Sequence, residues 1–129
     1  MTPAEFASRA VGIRWVKWRS DWQAVDCYGL ILLYFREVLG IDLGEVPQTD
    51  IATGFDAARG WTPCKPQAGA MAWMAWRNGA PTHCGILLTA DQVLHAEGNE
   101  EHPGAVRVSR LRAVQQAYGD IVFYRHDRC

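Results

Sequence analysis

The sequence has almost no charge of one sign to spare: 13 Lys and Arg stand against 14 Asp and Glu, a net charge of −1. That balance excludes the broad basic footprint of a duplex-DNA or polybasic membrane binder, and the local cluster Arg107, Arg110 and Arg112 reads as a solvated strand and turn. Long apolar runs are missing too. No stretch approaches the roughly 18 residues of a membrane span, and Glu5, Arg9 and Arg14 interrupt the segment in which a signal peptide would need its apolar run. No nucleic-acid partner, no membrane insertion and no signal peptide are therefore expected, and synthesis in the cytoplasm is. Cysteine is unpatterned: Cys27, Cys64, Cys84 and Cys129 form no C-x-x-C pair, and no histidine lies at zinc-finger spacing, which argues against structural zinc. A chain of 129 residues can bury one core without staples, so free thiols are expected. Repeats, low-complexity tracts and linkers are absent, which leaves residues 1–129 as a single domain.

Tryptophan, by contrast, is abundant. Trp15, Trp18, Trp22, Trp61, Trp73 and Trp76 imply a wide aromatic core or an aromatic-lined groove. Residues 3–11 read as a short helix, with Thr2 as N-cap, Pro3 at its first position and Gly12 at its stop. Residues 28–39 are almost wholly apolar and end at Gly40, which predicts a central helix buried on most sides with Asp26 or Cys27 in its first turn. Gly29 costs that turn about 1 kcal/mol relative to Ala, so close packing or backbone access is its expected reason. A weaker helix is expected over Thr49 to Arg59. From Gly69 onward five short runs (69–76, 83–88, 92–97, 105–111 and 120–125) are separated by Asn78-Gly79, Ala90-Asp91, Pro103-Gly104 and Gly119. Helices first and a strand meander after them predict an α+β domain with the helices on one face of an antiparallel sheet of about five strands.

Cys27 carries the first chemical signal. A free thiol is only about 3% ionised at neutral pH, whereas a helix N-terminus and a histidine partner make it a nucleophile. The alternative is a small buried hydrophobe. His83 and His95 sit on successive predicted strands, and one imidazole acting on the thiol while the other holds its tautomer would complete a nucleophilic set. One buried and one surface histidine is the alternative. Strand parity separates the two: a two-residue turn at Ala90-Asp91 puts the rings on opposite faces, whereas a three-residue loop centred on Ala90, or a bulge, opposes His83 to Glu97 and sets His95 diagonally beside it. The odd loop is the expectation, with Cys84 then facing away from the site and His102 and His126 exposed.

Together, Gly12-Ile13-Arg14-Trp15, Asp26-Cys27-Tyr28-Gly29-Leu30, Pro66-Gln67-Ala68-Gly69, His83-Cys84-Gly85-Ile86 and His95-Ala96 resemble the NlpC/P60 family of cysteine peptidases. The resemblance covers about residues 11–98, with Val106 to Leu111 and Ile121 to Arg125 similar to the family's closing strands. It implies a papain-like fold, Cys27 as nucleophile, His83 as general base and His95 as the orienting third residue. It further implies hydrolysis of an amide in peptidoglycan stem peptides, of the γ-D-glutamyl-diamino acid type, through an acyl-enzyme and with no metal or organic cofactor. Asp26, Tyr28 and Trp15 are the implied substrate-side residues, Asp26 binding a substrate amine or simply capping the helix. Trp15 stands where the family usually has Tyr and donates only through its indole N–H. Tyr28 stands in place of the usual Ser, and Ala70 in place of Asp. The short Asp26-Cys27-Tyr28-Gly29-Leu30 form is similar to phage tail-assembly members, so incorporation into a phage tail with tail proteins as partners is expected; a contractile secretion effector and a holin-assisted lysin are other routes to the wall. The rival readings are a catalytically weak or inactive structural tail-tip or wall-binding module and a papain-like acyltransferase.

Overall fold

The computed structural model describes residues 1–49, 60–68 and 72–128. Most of the helix expected over Thr49 to Arg59, the Gly69-Ala70 turn and Cys129 lie outside these residues. Helix α1 (Pro3–Ala10) begins as its sequence requires: Thr2 Oγ1 accepts the Glu5 N–H at 3.1 Å, Glu5 accepts the Thr2 N–H at 3.2 Å, and Pro3 fills the position that needs no donor. Phe6, Ala7 and Ala10 form its buried face. Strands β1 (Arg14–Trp15) and β2 (Ala24–Val25) make a short parallel pair that leads into helix α2 (Cys27–Tyr34), which runs on through a π-helical turn (Phe35–Leu39) to a left-handed Gly40 at φ 68°. Leu30 to Phe35 are all at most 1% exposed, so α2 is buried on every side, which is why its sequence shows no polar face. Gly29 is required by close approach: a Cβ there would lie 1.9 Å from the carbonyl oxygen of Arg19.

The sheet follows. Strands β3 (Trp61–Cys64), β4 (Ala72–Arg77), β5 (Ala80–Leu87), β6 (Gln92–Ala96), β7 (Val106–Arg110) and β8 (Asp120–His126) form six antiparallel strands in the order β3-β8-β4-β5-β6-β7. Asn78 and Gly79, both at positive φ (54° and 77°), join β4 to β5 in the two-residue turn that suits the right-handed twist of a hairpin. The sixth strand is β3, an addition to the expected five; it pairs only with β8, and its edge position tolerates Pro63.

Both faces of the sheet are covered. Alternate residues Ala72, Met74, Cys84, Ile86, Leu94 and Ala96 join α1 and α2 in one core. Their neighbours Trp73, Ala75, Leu87 and Val93 form a second core with Val114 of helix α3 (Leu111–Tyr118). Helices on one face only was therefore an incomplete expectation: Leu111, Val114 and Tyr118, spaced three and four apart, lay a stripe of α3 over the other face, where the sequence had suggested only the end of a strand. No described helix is long and apolar enough to cross a membrane.

Candidate active site

Cys27 is the first helical residue of α2, half-buried, with Asp26 as the N-cap. Asp26 Oδ1 accepts the Gly29 N–H at 2.7 Å and its Oδ2 accepts the Trp18 N–H at 2.8 Å. Both oxygens are thus committed to the backbone, one closing the helix and the other holding Trp18 at its left-handed φ of 66°. Of its two expected roles, the cap is the one the structure displays. Burial, and next the adjacent Cys27, push the Asp26 carboxyl up to about 6 against the pull of its backbone hydrogen bonds.

The thiol of Cys27 is held well below its ordinary titration range. A hydrogen bond from Cys84 is the largest cause; burial opposes it, and the His83 imidazole, as hydrogen-bond partner and as charge, and the backbone of Tyr28 add to the lowering. Cys84 is pushed the other way, first by burial and then by Cys27, and so keeps its proton. This corrects the expectation for Cys84. Its side chain points away from the histidines into the α2 core, but that is also the side from which the sulfur of Cys27 approaches.

The histidines share a face. Strands β5 and β6 pair Ile86 with Leu94 and Leu87 with Val93, and Leu88 and Thr89 both donate to the Gln92 carbonyl, so residues 89–91 are the odd loop that parity requires. His83 Nε2 and His95 Nδ1 are 2.8 Å apart, and both residues are buried. Beyond them, His95 Nε2 lies 2.8 Å from Ser109 Oγ and 3.8 Å from Glu97 Oε2. Burial first, then the neighbouring His83 and Arg107, lower His95 to about 3, so this ring stays neutral at physiological pH. Tyr118 stacks on His83 with centroids 4.2 Å apart and planes at 25°. Trp73 packs at 5.6 Å from His83 and 6.1 Å from His95, in space that Gly85 provides: a Cβ there would come within 2.7 Å of the indole and 2.4 Å of the Leu94 carbonyl.

A cavity of about 570 Å³ opens beside Cys27, walled by Trp15, Trp18, Tyr28 and Met74 and rimmed by Lys17 and Glu100. Lys17 Nζ bridges Glu100 at 2.9 Å and lies 4.5 Å from the centre of a Trp18 ring. Tyr28 turns its hydroxyl to the Trp61 N–H at 3.2 Å. Trp22 is not part of the wall; it packs on Phe6 at 5.3 Å under the Arg9 guanidinium. Among the described residues no three His, Cys, Asp or Glu side chains are grouped to hold a metal ion. His102 is exposed as expected, whereas His126 is buried edge-on against Trp61 at 4.9 Å, because β8 lies inside the sheet next to β3.

The NlpC/P60 family model matches residues 14–118, a span that runs from β1 through the cysteine, both histidines and Ser109 to the end of α3. The chain belongs to the NlpC/P60 family. Its fold agrees: the crystal structure of the NlpC/p60 domain of the peptidoglycan hydrolase SagA superimposes with a TM-score of 0.62, at 22% identity and over 94% of each chain. A search of curated proteins finds no significant match. Within this NlpC/P60 domain the structure brings Cys27, His83, His95 and Trp15 to one place, and adds Cys84, which was expected to face away, together with Ser109 and Tyr118, which the sequence did not single out. Ser109 had a readable signal. In the β6–β7 register His95 faces Arg107 and Val93 faces Ser109, so Ser109 shares the histidines' face by parity.

Proposed function

We propose that the protein is a cysteine peptidase that hydrolyses an amide bond in peptidoglycan stem peptides, at a γ-D-glutamyl-diamino acid junction. The observation that carries this reading is a buried pair of imidazoles, His83 Nε2 2.8 Å from His95 Nδ1, with the first of them among the groups that lower the thiol at the start of α2 and the second neutral. The Cys27 thiolate attacks the amide carbonyl, and the first-turn amide of α2, which has no acceptor within the helix, faces the charge that develops on oxygen. His83 then passes a proton to the leaving amine and activates water to release the acyl-enzyme, while His95 accepts a hydrogen bond from its Nε2. The cavity beside the sulfur, with its aromatic wall, suits an extended peptide. We also assign the protein to the tail-associated group, on the form of residues 26–30.

The test is digestion of purified peptidoglycan, and of a γ-D-Glu-diamino acid peptide, by wild type and Cys27→Ala. New free amine with wild type alone is expected. Binding by both without turnover would replace the proposal with a wall-binding module, for which the exposed Trp18 at the groove is the supporting feature. Co-purification with assembled phage tails tests the tail assignment separately.

A further inference from the structure

His95 does not end the hydrogen-bonded chain. We propose that Ser109 is a positioning residue of the site: its hydroxyl accepts the Nε2–H of His95 and so stabilises the tautomer in which His95 Nδ1 is a bare acceptor for protonated His83. The inference rests on the reading of Cys27 and His83 as nucleophile and base.

A neutral imidazole has one N–H and one acceptor nitrogen. When His83 holds the proton of Cys27, both of its nitrogens are donors, so its Nε2–H needs an acceptor. His95 Nδ1 lies 2.8 Å away and serves only if the His95 proton sits on Nε2. With the proton on Nδ1 instead, two N–H groups would face each other inside a pocket where His95 is 1% exposed, and protonated His83 would be left with an unmatched buried donor. A hydroxyl can donate or accept, so the tautomer is selected by both ends together: the donor on His83 demands a bare Nδ1, and the partner at Nε2 must then accept the remaining proton. Ser109 Oγ stands there at 2.8 Å. Glu97, at 3.8 Å, is too far for a hydrogen bond and is itself drawn to Arg107 at 3.9 Å. The His95 ring is buried between Trp73 and Tyr118, whose ring centres lie 6.1 and 6.4 Å away. The groups that face His95 are therefore His83 from β5, Glu97 at the end of β6, Arg107 and Ser109 from β7, and Tyr118 from α3.

The experiment compares wild type, Ser109→Ala, Ser109→Thr and Glu97→Gln by two readouts that need no peptidoglycan: the ring-nitrogen NMR shifts of His95, and the pH dependence of Cys27 alkylation by iodoacetamide, followed on the Cys27 peptide by mass spectrometry. In wild type, His95 Nδ1 is expected to show the unprotonated shift. Ser109→Ala mixes the tautomers and slows alkylation below neutral pH by about tenfold, the size of one lost hydrogen bond. Ser109→Thr restores both readouts, and Glu97→Gln leaves both as in wild type. On peptide substrate, Ser109→Ala lowers kcat by a similar factor with KM unchanged. A protonated Nδ1 in wild type, an alkylation profile unmoved by Ser109→Ala, or a profile moved by Glu97→Gln instead would overturn the assignment. If wild type fails to cleave peptidoglycan while the Ser109 variants still shift the histidine and thiol readouts, the proposed substrate is wrong and the role of Ser109 stands.

Discussion

Asp26 ties the stability of the domain to pH through one carboxylate. Its oxygens accept amides from Gly29 and Trp18, yet burial and the neighbouring Cys27 raise it to about 6, against 3.8 for an ordinary aspartate. Between those values the folded chain holds a proton that the unfolded chain releases. This contribution to stability is therefore full below about pH 4 and falls as pH rises, reaching its minimum above about pH 6. At about 1.4 kcal/mol per pH unit the interval corresponds to about 3 kcal/mol. The assay is urea unfolding of wild type and Asp26→Asn from pH 4 to pH 7. Asparagine cannot ionise and keeps one acceptor oxygen, so the variant caps as well but loses one of the two backbone hydrogen bonds, about 1 kcal/mol, at every pH. Relative to the variant, wild type is expected to lose about 3 kcal/mol across the interval; the other carboxylates cancel in the difference. Repeating the pair in a Cys27→Ala background should flatten the slope in part, because the neighbouring sulfur is the second cause of the shift. A difference that is level, or that rises with pH, would refute the reasoning.

Replacing Cys84 with Ala removes the largest influence that lowers the Cys27 thiol and should move Cys27 alkylation to higher pH, while Cys84→Ser, which keeps a donor, should move it less. Gly85→Ala drives a methyl group toward the Trp73 indole and the Leu94 carbonyl, and a loss of about 1–3 kcal/mol in thermal or urea unfolding is expected, with slower peptide cleavage by the fraction that remains folded. Tyr118→Leu keeps an apolar cover but removes the ring stacked at 4.2 Å on His83; kcat measured on the γ-D-Glu peptide should fall while the melting temperature stays within a few degrees.

Much of this was legible in the chain. The N-cap of α1, the buried central helix and the hairpin turns follow from short-range chemistry at Thr2, Gly40 and Asn78-Gly79, and the shared face of His83 and His95 follows from counting residues around Ala90. Features that depend on partners distant in sequence were not legible. Trp61–Cys64 becomes a strand only because β8 offers it an edge, and α3 follows directly on β7 at Arg110 without a side-chain cap, so nothing local announces where the strand stops and the helix starts. Cys84 was misjudged for a related reason. Parity says which face a side chain occupies and is silent about which helix covers that face.

The two-sided sheet means that the Cys27 sulfur and the two imidazoles answer to different interiors. The sulfur rides on a helix embedded among Phe6, Met74 and Ile86, whereas the imidazoles are braced by Trp73 and Tyr118 on the reverse side, and adjacent residues of β5, His83 and Cys84, face the two interiors. Loosening either interior alone would leave each half intact and merely misalign one with the other, so a folded but idle protein is the natural failure of this architecture, and β5 is the strand where drift between lineages should be most tightly constrained.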